Sequence, residues 1–240
     1  MRLACLMAGS AYGLLPLTAS LHQACLMLGK YPMIDYQLGT FERAGIGHKT
    51  FVLGHGAAEC ARILFESLHH SHFVLLNNPL HHALNLDWSA WLVLSKHDGP
   101  VIYYESDLLL PPSVLKEVKN HPAEICIVMD SARPYAAANI MMRTPQQNNK
   151  SPAGRAFPPE RTPGEFIPVV KLGAAARHFV VEQLAAQSYE GEVQLYNIFS
   201  HACSLFPTAW IDTAGRPWAR VDNRQQLQRA SELAEEILSS

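Results

Sequence analysis

The chain has 240 residues, of which 48% are hydrophobic and 17% are charged, and its formal net charge is -2. This length suits one α/β domain with a sizeable core. The lysines and arginines are scattered and form no basic stripe, which argues against a nucleic-acid partner. No apolar run reaches the roughly 18 to 20 residues that a bilayer span needs, so we expect no membrane segment.

The five cysteines are odd in number, widely spaced and mostly inside apolar runs. No CxxC pair is present. This pattern is typical of buried, reduced thiols, and it predicts a cytoplasmic protein.

Strand-like and helix-like segments alternate along the first half of the chain. The predicted strands cover residues 3–7, 50–53, 73–76, 101–104 and 124–129. The predicted helices cover residues 33–44, 57–67, 86–94 and 111–120, the last with prolines at its start and lysine in its last turn.

The alternation is interrupted by residues 143–165, a stretch rich in Pro, Gln, Asn and charge that we interpret as a lid or a dimer arm. After it, the pattern predicts strands at 166–171 and 209–212, and helices at 174–187, 193–205 and 224–238. The whole chain, 1–240, therefore predicts one doubly wound α/β domain, with a mostly parallel, Rossmann-like sheet and helices on both faces.

Two acidic residues are notable for their positions. Asp107 follows the apolar strand "VIYY", and ligands of open α/β sheets bind at the carboxyl ends of strands. It would be well placed to hold a divalent cation, or it could cap a helix or a turn before "LLLPP". The position of Asp222, in "WARVDNRQQL", taken alone favours an N-cap or turn role before the last helix.

Several segments, in order, resemble the sugar-phosphate and choline-phosphate nucleotidyltransferases. The opening "AGSAYG", with Pro16 and Thr18 and then "GKYPMI", is similar to the family's A-G-x-G-x-R loop and its G-K-P-x-I segment. The segments that match further along the chain are "FVLGHGAAEC", "NNPLHHALNLDWSAWL", "YYESDLLL", "PGEFIPVVKL" and "WARVDNRQQLQRA". The last two look most like the cytidylyltransferases of choline-phosphate and phosphonate metabolism, whose late motif is W-x-(D/E)-V-D.

The resemblance implies an enzyme that moves a nucleoside monophosphate from a triphosphate, with CTP favoured, onto a small phosphate or phosphonate acceptor such as phosphocholine. One Mg²⁺ would be shared by Asp107 and Asp222. The residues of the loop that would cradle the triphosphate are Ala8, Gly9, Ser10, Ala11, Tyr12 and Gly13. Asn85 and Ser89 would contact the base or the acceptor, and the 143–165 segment would suit a homodimer contact.

The loop departs from the family pattern at three positions. Ala11, Gly13 and Gln23 stand where the family carries Gly, Arg and Lys. Gln23 would occupy the acceptor-bridging position as a neutral donor, Lys171 would reach the acceptor side, and a protonated His22 could restore charge. Because each lost stabiliser could cost roughly 10²–10³ in rate, a second hypothesis is a weak or inactive relative that regulates or scaffolds.

The pair Trp88 and Trp91 flanks Ser89 and has two interpretations. The two rings could pack in the core, or they could form an aromatic wall for a cationic head group.

Overall fold

A computed structural model describes residues 1–67, 72–84, 86–132, 141–142, 153–154, 164–186 and 195–240. The strands are β1 (Arg2–Met7), β2 (Met27–Leu28), β3 (Tyr31–Pro32), β4 (His48–Leu53), β5 (His72–Asn77), β6 (Val101–Glu105), β7 (Leu108–Leu109), β8 (Ile125–Asp130), β9 (Met141–Met142), β10 (Ala153–Gly154), β11 (Gly164–Leu172), β12 (Thr208–Asp212) and β13 (Ala219–Arg220). The helices are α1 (Met33–Arg43), α2 (Ala57–Ser67), α3 (Leu86–Leu94), α4 (Pro112–Asn120), α5 (Ala174–Ala185), α6 (Leu195–Leu205) and α7 (Arg224–Ser239), with short 3-10 helices at Tyr12–Leu14 and Gln23–Cys25.

The central sheet has the strand order β12-β8-β11-β6-β1-β4-β5. All neighbours in this order are parallel except β11, which runs antiparallel to both β8 and β6. The short strands β9 and β10 extend the sheet from the start of β11. Because the other strands point the same way, their carboxyl ends meet at one edge, where open α/β sheets bind ligands.

The core lies on both faces of this sheet. Along β1, Leu3, Cys5 and Met7 pack with the helices α1, α2 and α4, whereas Ala4 and Leu6 pack with α3, α5 and α6. This alternation follows from the two-residue period of side chains in a strand. A sheet buried on both faces requires nearly continuous apolar strands, which is why "RLACLM" and "VIYYE" could be recognised in the sequence.

A third apolar cluster connects the C-terminal helix to the site-bearing edge of the sheet. It contains Leu14, Leu109 and Val221 together with Ala230 and Ile237 of α7. The two-stranded pair β13–β7 belongs to the same region. The C-terminal segment is thereby held against the end of β6, which matters for the site described below.

The predicted fold class is confirmed: a mostly parallel sheet with helices on both faces in one domain. The helices at 57–67 and 86–94 have the predicted bounds, and the other predicted elements differ by one or two residues at their ends where the structure describes them. The 143–165 segment lies outside the described residues except for β10 and the first two residues of β11. Its role as a lid or dimer arm stays a prediction.

The described cysteines are free thiols, as predicted. Across the described ranges, no helix combines the length and apolarity that a bilayer crossing requires.

The buried His97, just after α3, makes the stability of the fold depend on pH. Burial, with the positive charges of Arg2 and Arg177, lowers the pKa of His97 to about 4. The unfolded chain, with a histidine pKa near ~6.5, binds this proton more readily. The unfolding free energy that depends on a neutral His97 is therefore fully present above about pH 6.5. It is lost as the pH falls toward 4.

We expect the His97→Gln variant to be less sensitive to acid than the wild type. Between about pH 7.5 and pH 5, the wild type should lose about 1–2 kcal/mol more unfolding free energy than the variant. Urea denaturation at both pH values measures this difference. The matched control is His178→Gln, whose side chain is 66% exposed, and it should follow the wild type. Equal acid sensitivity of all three proteins would contradict the prediction.

Candidate active site

A cavity of about 300 Å³ opens at the carboxyl ends of β1 and β6. Its walls are the loop after β1, the residues after β6, the start of α3 with the loop before it, and the C-terminal segment. The residues that line it are Leu6, Ala8, Gly9, Ser10, Ala11, His22, Gln23, His81, Leu84, Leu86, Ser89, Glu105, Ser106, Asp107, Arg220 and Asp222.

The structure brings Asp107 and Asp222 together, although they are far apart in sequence. Strand β13 pairs antiparallel with β7, with Arg220 opposite Leu108. The Val221 amide extends this pairing by donating a hydrogen bond to the Asp107 carbonyl at 2.8 Å. Each acidic residue thus lies directly beside the short strand pair, and both side chains face the cavity.

Neither carboxylate is used to cap a helix. Helix α7 is capped by the Asn223 side chain, which accepts a hydrogen bond from the Gln226 amide at 3.0 Å. Helix α4 begins after Pro111, without a side-chain cap. Asp107 does not cap a turn either, because its Oδ2 accepts a hydrogen bond from Arg220 and its Oδ1 has no hydrogen-bond partner among the described residues. The helix-cap interpretation is therefore wrong for both residues.

Arg220 bridges the two carboxylates. Its Nε lies 2.7 Å from Asp107 Oδ2 and 3.0 Å from Asp222 Oδ2, and its outer nitrogen lies 3.9 Å from Glu105 Oε2. Burial disfavours the charge of the guanidinium, but the attraction of Asp107, Asp222 and Glu105 outweighs burial and raises the pKa of Arg220 above its ordinary range. Arg220 therefore stays charged and balances part of the acidic cluster.

Glu105, at the end of β6, is a largely buried carboxylate whose side chain is 12% exposed. Its Oε1 accepts hydrogen bonds from the hydroxyls of Tyr103 at 2.7 Å and Tyr196 at 2.6 Å. Burial and then repulsion by Asp107 raise the pKa of Glu105 to about 7, against the opposing effects of Arg220 and the two tyrosines. Near neutral pH, Glu105 thus carries only part of a negative charge.

The donor set around Arg220 suits a divalent cation. Asp107 Oδ1 is buried and has no hydrogen-bond partner among the described residues, while the Asp107 side chain is 8% exposed. The neighbouring Asp222 side chain is 50% exposed. A buried oxygen without a partner beside an accessible carboxylate matches the hard oxygen ligands that Mg²⁺ prefers. These residues therefore fit such an ion.

The loop after β1 forms another wall of the cavity. The His55 amide donates to the Ala8 carbonyl at 3.0 Å, and Thr18 Oγ1 donates to the Ala11 carbonyl at 2.8 Å, so both ends of the loop are fixed. A Cβ at Gly9 would meet no atom within 4 Å. The backbone at Gly9 is therefore open to an incoming group, as a phosphate cradle requires.

The rest of the predicted loop turns away from the cavity. Tyr12 begins a 3-10 helix and is 78% exposed, and neither Tyr12 nor Gly13 lines the cavity. A Cβ at Gly13 would lie 2.3 Å from the Asp222 carbonyl oxygen. Position 13 therefore has no room for a side chain in this structure.

Gln23 lines the cavity from a short 3-10 helix. The preceding His22 caps that helix, because its Nδ1 accepts a hydrogen bond from the Ala24 amide at 3.1 Å. Burial, and secondarily the nearby His55, lowers the pKa of His22 to about 3. His22 is therefore neutral near physiological pH, and the expectation that it restores positive charge is wrong.

Lys171 lies at the opposite end of the sheet from the cavity. It pairs with Ile102 near the start of β6, whereas the cavity follows the end of β6. Its Nζ donates a hydrogen bond to the His121 carbonyl. Because β11 runs antiparallel to β6, the last residues of β11 lie beside the start of β6, at the end of the sheet away from the cavity. This placement corrects the expectation that Lys171 reaches the acceptor.

The remaining predicted residues belong to the segment around α3. Ser89 is buried, lines the cavity and accepts a hydrogen bond from Asn78 Nδ2 at 2.9 Å. Asn85 lies outside the described residues. Trp88 and Trp91 stack with ring centroids 5.0 Å apart, but neither lines the cavity, which supports the packing interpretation.

The chain superimposes on solved nucleotidyltransferases over nearly its whole length. The inositol-1-phosphate CTP transferase from T. maritima has a TM-score of 0.80 at 15% identity, covering 98% of this chain and 95% of that one. A UDP-glucose pyrophosphorylase gives 0.78 at 13% identity, with 98% of each chain covered. The CTP:phosphocholine cytidylyltransferase from Streptococcus pneumoniae gives 0.74 at 15% identity, with 97% of each chain covered.

No protein-family model matches the sequence, and no curated protein matches it significantly. At these identities the structural likeness concerns the fold alone. The chain therefore has the Rossmann-like fold of the sugar-phosphate and choline-phosphate nucleotidyltransferases that its motifs resemble.

Sequence reasoning missed Arg220 and Glu105 as parts of the site. A signal for Arg220 was present, because it stands in "WARVD" where the resembled motif has an acidic residue. Glu105 ends an apolar strand two residues before Asp107, and only the fold shows that its carboxylate is enclosed by tyrosines.

The close approach of Gly13 to Asp222 predicts a cost for even the smallest side chain. We expect Gly13→Ala to lower the unfolding free energy by about 1–3 kcal/mol, because a methyl group would overlap the Asp222 carbonyl. Urea denaturation at neutral pH measures the loss. Gly47→Ala is the matched control, since a Cβ there meets nothing within 4 Å. If Gly13→Ala were as stable as this control, the packing explanation would be wrong.

Proposed function

We propose that the protein is a Mg²⁺-dependent nucleotidyltransferase that moves CMP from CTP onto a small phosphate or phosphonate acceptor. The observation that carries the proposal is the carboxylate pair Asp107 and Asp222, which faces a cavity beside the open loop at Gly9. This arrangement lies where α/β sheets bind ligands, in a fold that known nucleotidyltransferases share.

The charge of the cavity supports a requirement for a metal. Its lining contains Glu105, Asp107 and Asp222, and Arg220 is the one lysine or arginine among the described residues that line it. Such a surface repels a triphosphate unless another cation accompanies it. Asp107 and Asp222 would hold Mg²⁺, which when bound would offset the negative charge of the triphosphate oxygens.

The other lining residues would position the two anionic substrates. Backbone N–H groups of Ala8–Ala11 would cradle phosphate oxygens. The Gln23 amide would donate a hydrogen bond between the α-phosphate and the acceptor, and the Ser89 hydroxyl would contact base or acceptor. An acceptor oxygen forms a bond to the α-phosphorus while the bond from that phosphorus to the β-phosphate bridge oxygen breaks, and pyrophosphate leaves.

The preference for CTP and a phosphocholine-like acceptor is supported by two likenesses. The late segments "PGEFIPVVKL" and "WARVDNRQQLQRA" resemble cytidylyltransferases, and two structural neighbours are described as CTP-dependent transferases acting with inositol-1-phosphate or phosphocholine. A homodimer and a cytoplasmic location remain predictions.

A second candidate function is a weak or inactive relative that regulates or scaffolds. The observation that favours it is the low positive charge of the site, since Gly13 has no room for an arginine and Gln23 is neutral. Positioning and charge stabilisation are the main contributions that a protein makes to phosphoryl transfer. The retained carboxylate pair favours the first candidate.

We expect nucleotide binding to require both Mg²⁺ and Asp107. Thermal unfolding is measured with CTP, UTP, ATP, GTP and dTTP, each with and without Mg²⁺, because a ligand of the folded state raises the melting temperature. CTP should give the largest shift, and only with Mg²⁺. Asp107→Asn should lose the shift, and its pyrophosphate release with CTP and phosphocholine-like acceptors should fall by at least about 10²-fold.

The control for this experiment is Asp98→Asn, an exposed aspartate outside the cavity, which should behave as the wild type. Nucleotide binding without pyrophosphate release for any phosphate or phosphonate acceptor would favour the second candidate. Absence of a thermal shift with all five nucleotides would overturn the nucleotide site itself.

The proposed phosphate cradle in the loop after β1 can be tested at Gly9. A Gly9→Val side chain would meet no protein atom near its Cβ, so we expect the melting temperature to change by no more than about 2 °C. The same side chain would fill the proposed cradle and weaken CTP binding by at least about tenfold. Isothermal titration with CTP and Mg²⁺ measures the affinity. Gly47→Val, with equally open surroundings outside the cavity, is the control, and equal CTP affinity in both variants would contradict the cradle.

A further inference from the structure

Arg220 takes the position that a cation shared by Asp107 and Asp222 would need. We propose that Arg220 is the resident cation of the site. In the free protein its guanidinium neutralises the two carboxylates. When nucleotide and metal bind, the guanidinium releases the carboxylates to the metal and binds phosphate oxygens instead. This inference rests on the proposed function, because it concerns the same carboxylate pair.

The first step is that Arg220 and a metal compete. Its Nε hydrogen-bonds Asp107 Oδ2 and is 3.0 Å from Asp222 Oδ2, so one nitrogen already links both carboxylates. A divalent ion held by the same two side chains would lie next to the guanidinium, and like charges at such distances repel strongly in a partly buried site. Arg220 must therefore release at least one carboxylate before a metal can use both.

The second step is that the free protein needs this arginine. Asp107 and Glu105 are largely buried, with side chains 8% and 12% exposed. Burying such carboxylates without a partner is costly, and removing one member of a buried charged pair leaves the other uncompensated. Arg220 supplies the compensating charge when no metal is present.

The third step is that the loop after β1 offers no cationic side chain to the triphosphate, so the positive charge must come from another part of the cavity wall. Position 13 has no room for a side chain, because the Asp222 carbonyl would be 2.3 Å from its Cβ. Arg220 is the only lysine or arginine on the cavity wall within the described part of the chain. Its backbone is fixed opposite Leu108 by the β13–β7 pairing, so in the proposed exchange only the side chain would move. A planar guanidinium binds two phosphate oxygens in the fork geometry that it uses with carboxylates.

In the absence of nucleotide, the exchange predicts a low metal affinity for the wild type and a higher metal affinity for a variant that lacks the Arg220 charge. Free Mn²⁺ is measured by electron paramagnetic resonance during titration of the protein alone. Arg220→Gln should bind Mn²⁺ at least about tenfold more tightly than the wild type, since the competing charge is gone. Arg216→Gln is the matched control, because Arg216 pairs with Glu117 outside the cavity and should leave Mn²⁺ affinity unchanged.

The same variants are then titrated with CTP in the presence of Mg²⁺. Arg220→Gln should bind CTP at least about tenfold more weakly than the wild type, while Arg216→Gln should match it. Opposite effects on metal and nucleotide are not expected of a merely structural arginine. If Arg220→Gln does not fold, Arg220→Lys serves instead, because an ammonium keeps the charge but lacks the fork. It should bind CTP more weakly than the wild type while remaining folded.

Two failures are distinguishable. If Arg220→Gln folds and binds Mn²⁺ no more tightly than the wild type, or if either folded Arg220 variant binds CTP as well as the wild type, the exchange is wrong while the proposed metal site stands. If no protein binds Mn²⁺ either alone or with CTP, the metal site of the proposed function is wrong, and the exchange falls with it.

Discussion

The ion pairs of Arg220 with Asp107 and Asp222 connect the carboxyl end of the central strand β6 to the C-terminal segment. Several other features depend on this connection. The β13–β7 pairing sets its register, and the third apolar cluster, with helix α7, supports it from behind. The loop after β1 then closes against the same segment at Gly13. Three parts of the chain that are remote in sequence thus meet at the segment that contains Arg220 and Asp222.

The charge balance of the cavity is unusual for a site that would handle two anions. Three carboxylates and one arginine leave the walls acidic, although the raised pKa of Glu105 reduces the negative charge near neutral pH. Electrostatic stabilisation in phosphoryl transfer depends on cations placed where negative charge develops. In this protein the positive charge would come from a metal on the carboxylates and from Arg220, with the loop contributing backbone dipoles.

Much of the fold could be predicted because its cause is local. The strands β1 and β6 are apolar except for one terminal residue each, since helices cover both faces of the sheet. Helix α2 has a clear apolar periodicity, and α3 is a short, predominantly apolar segment. The proximity of Asp107 and Asp222 was expected only from the resemblance to nucleotidyltransferases. Nothing in their local sequence indicates that β13 pairs with β7.

The features that sequence reasoning misjudged depend on contacts between distant segments. Gly13 stands where the resembled family carries an arginine, and only the structure shows that the nearby Asp222 carbonyl leaves no room for a side chain there. Lys171 was assigned to the acceptor side, but the antiparallel direction of β11 places it at the far end of the sheet. Arg220 was overlooked although it departs from the acidic residue of the resembled motif, because its buried partners Glu105 and Asp107 come from another element.

The most direct test of this account is a crystal structure of the protein with a non-hydrolysable CTP analogue and Mg²⁺. The account predicts a metal ion bound by Asp107 and Asp222, with the Arg220 guanidinium moved onto phosphate oxygens and the triphosphate lying along Ala8–Ala11. A complex in which Arg220 still bridges both carboxylates, with the nucleotide bound elsewhere or without a metal, would contradict it.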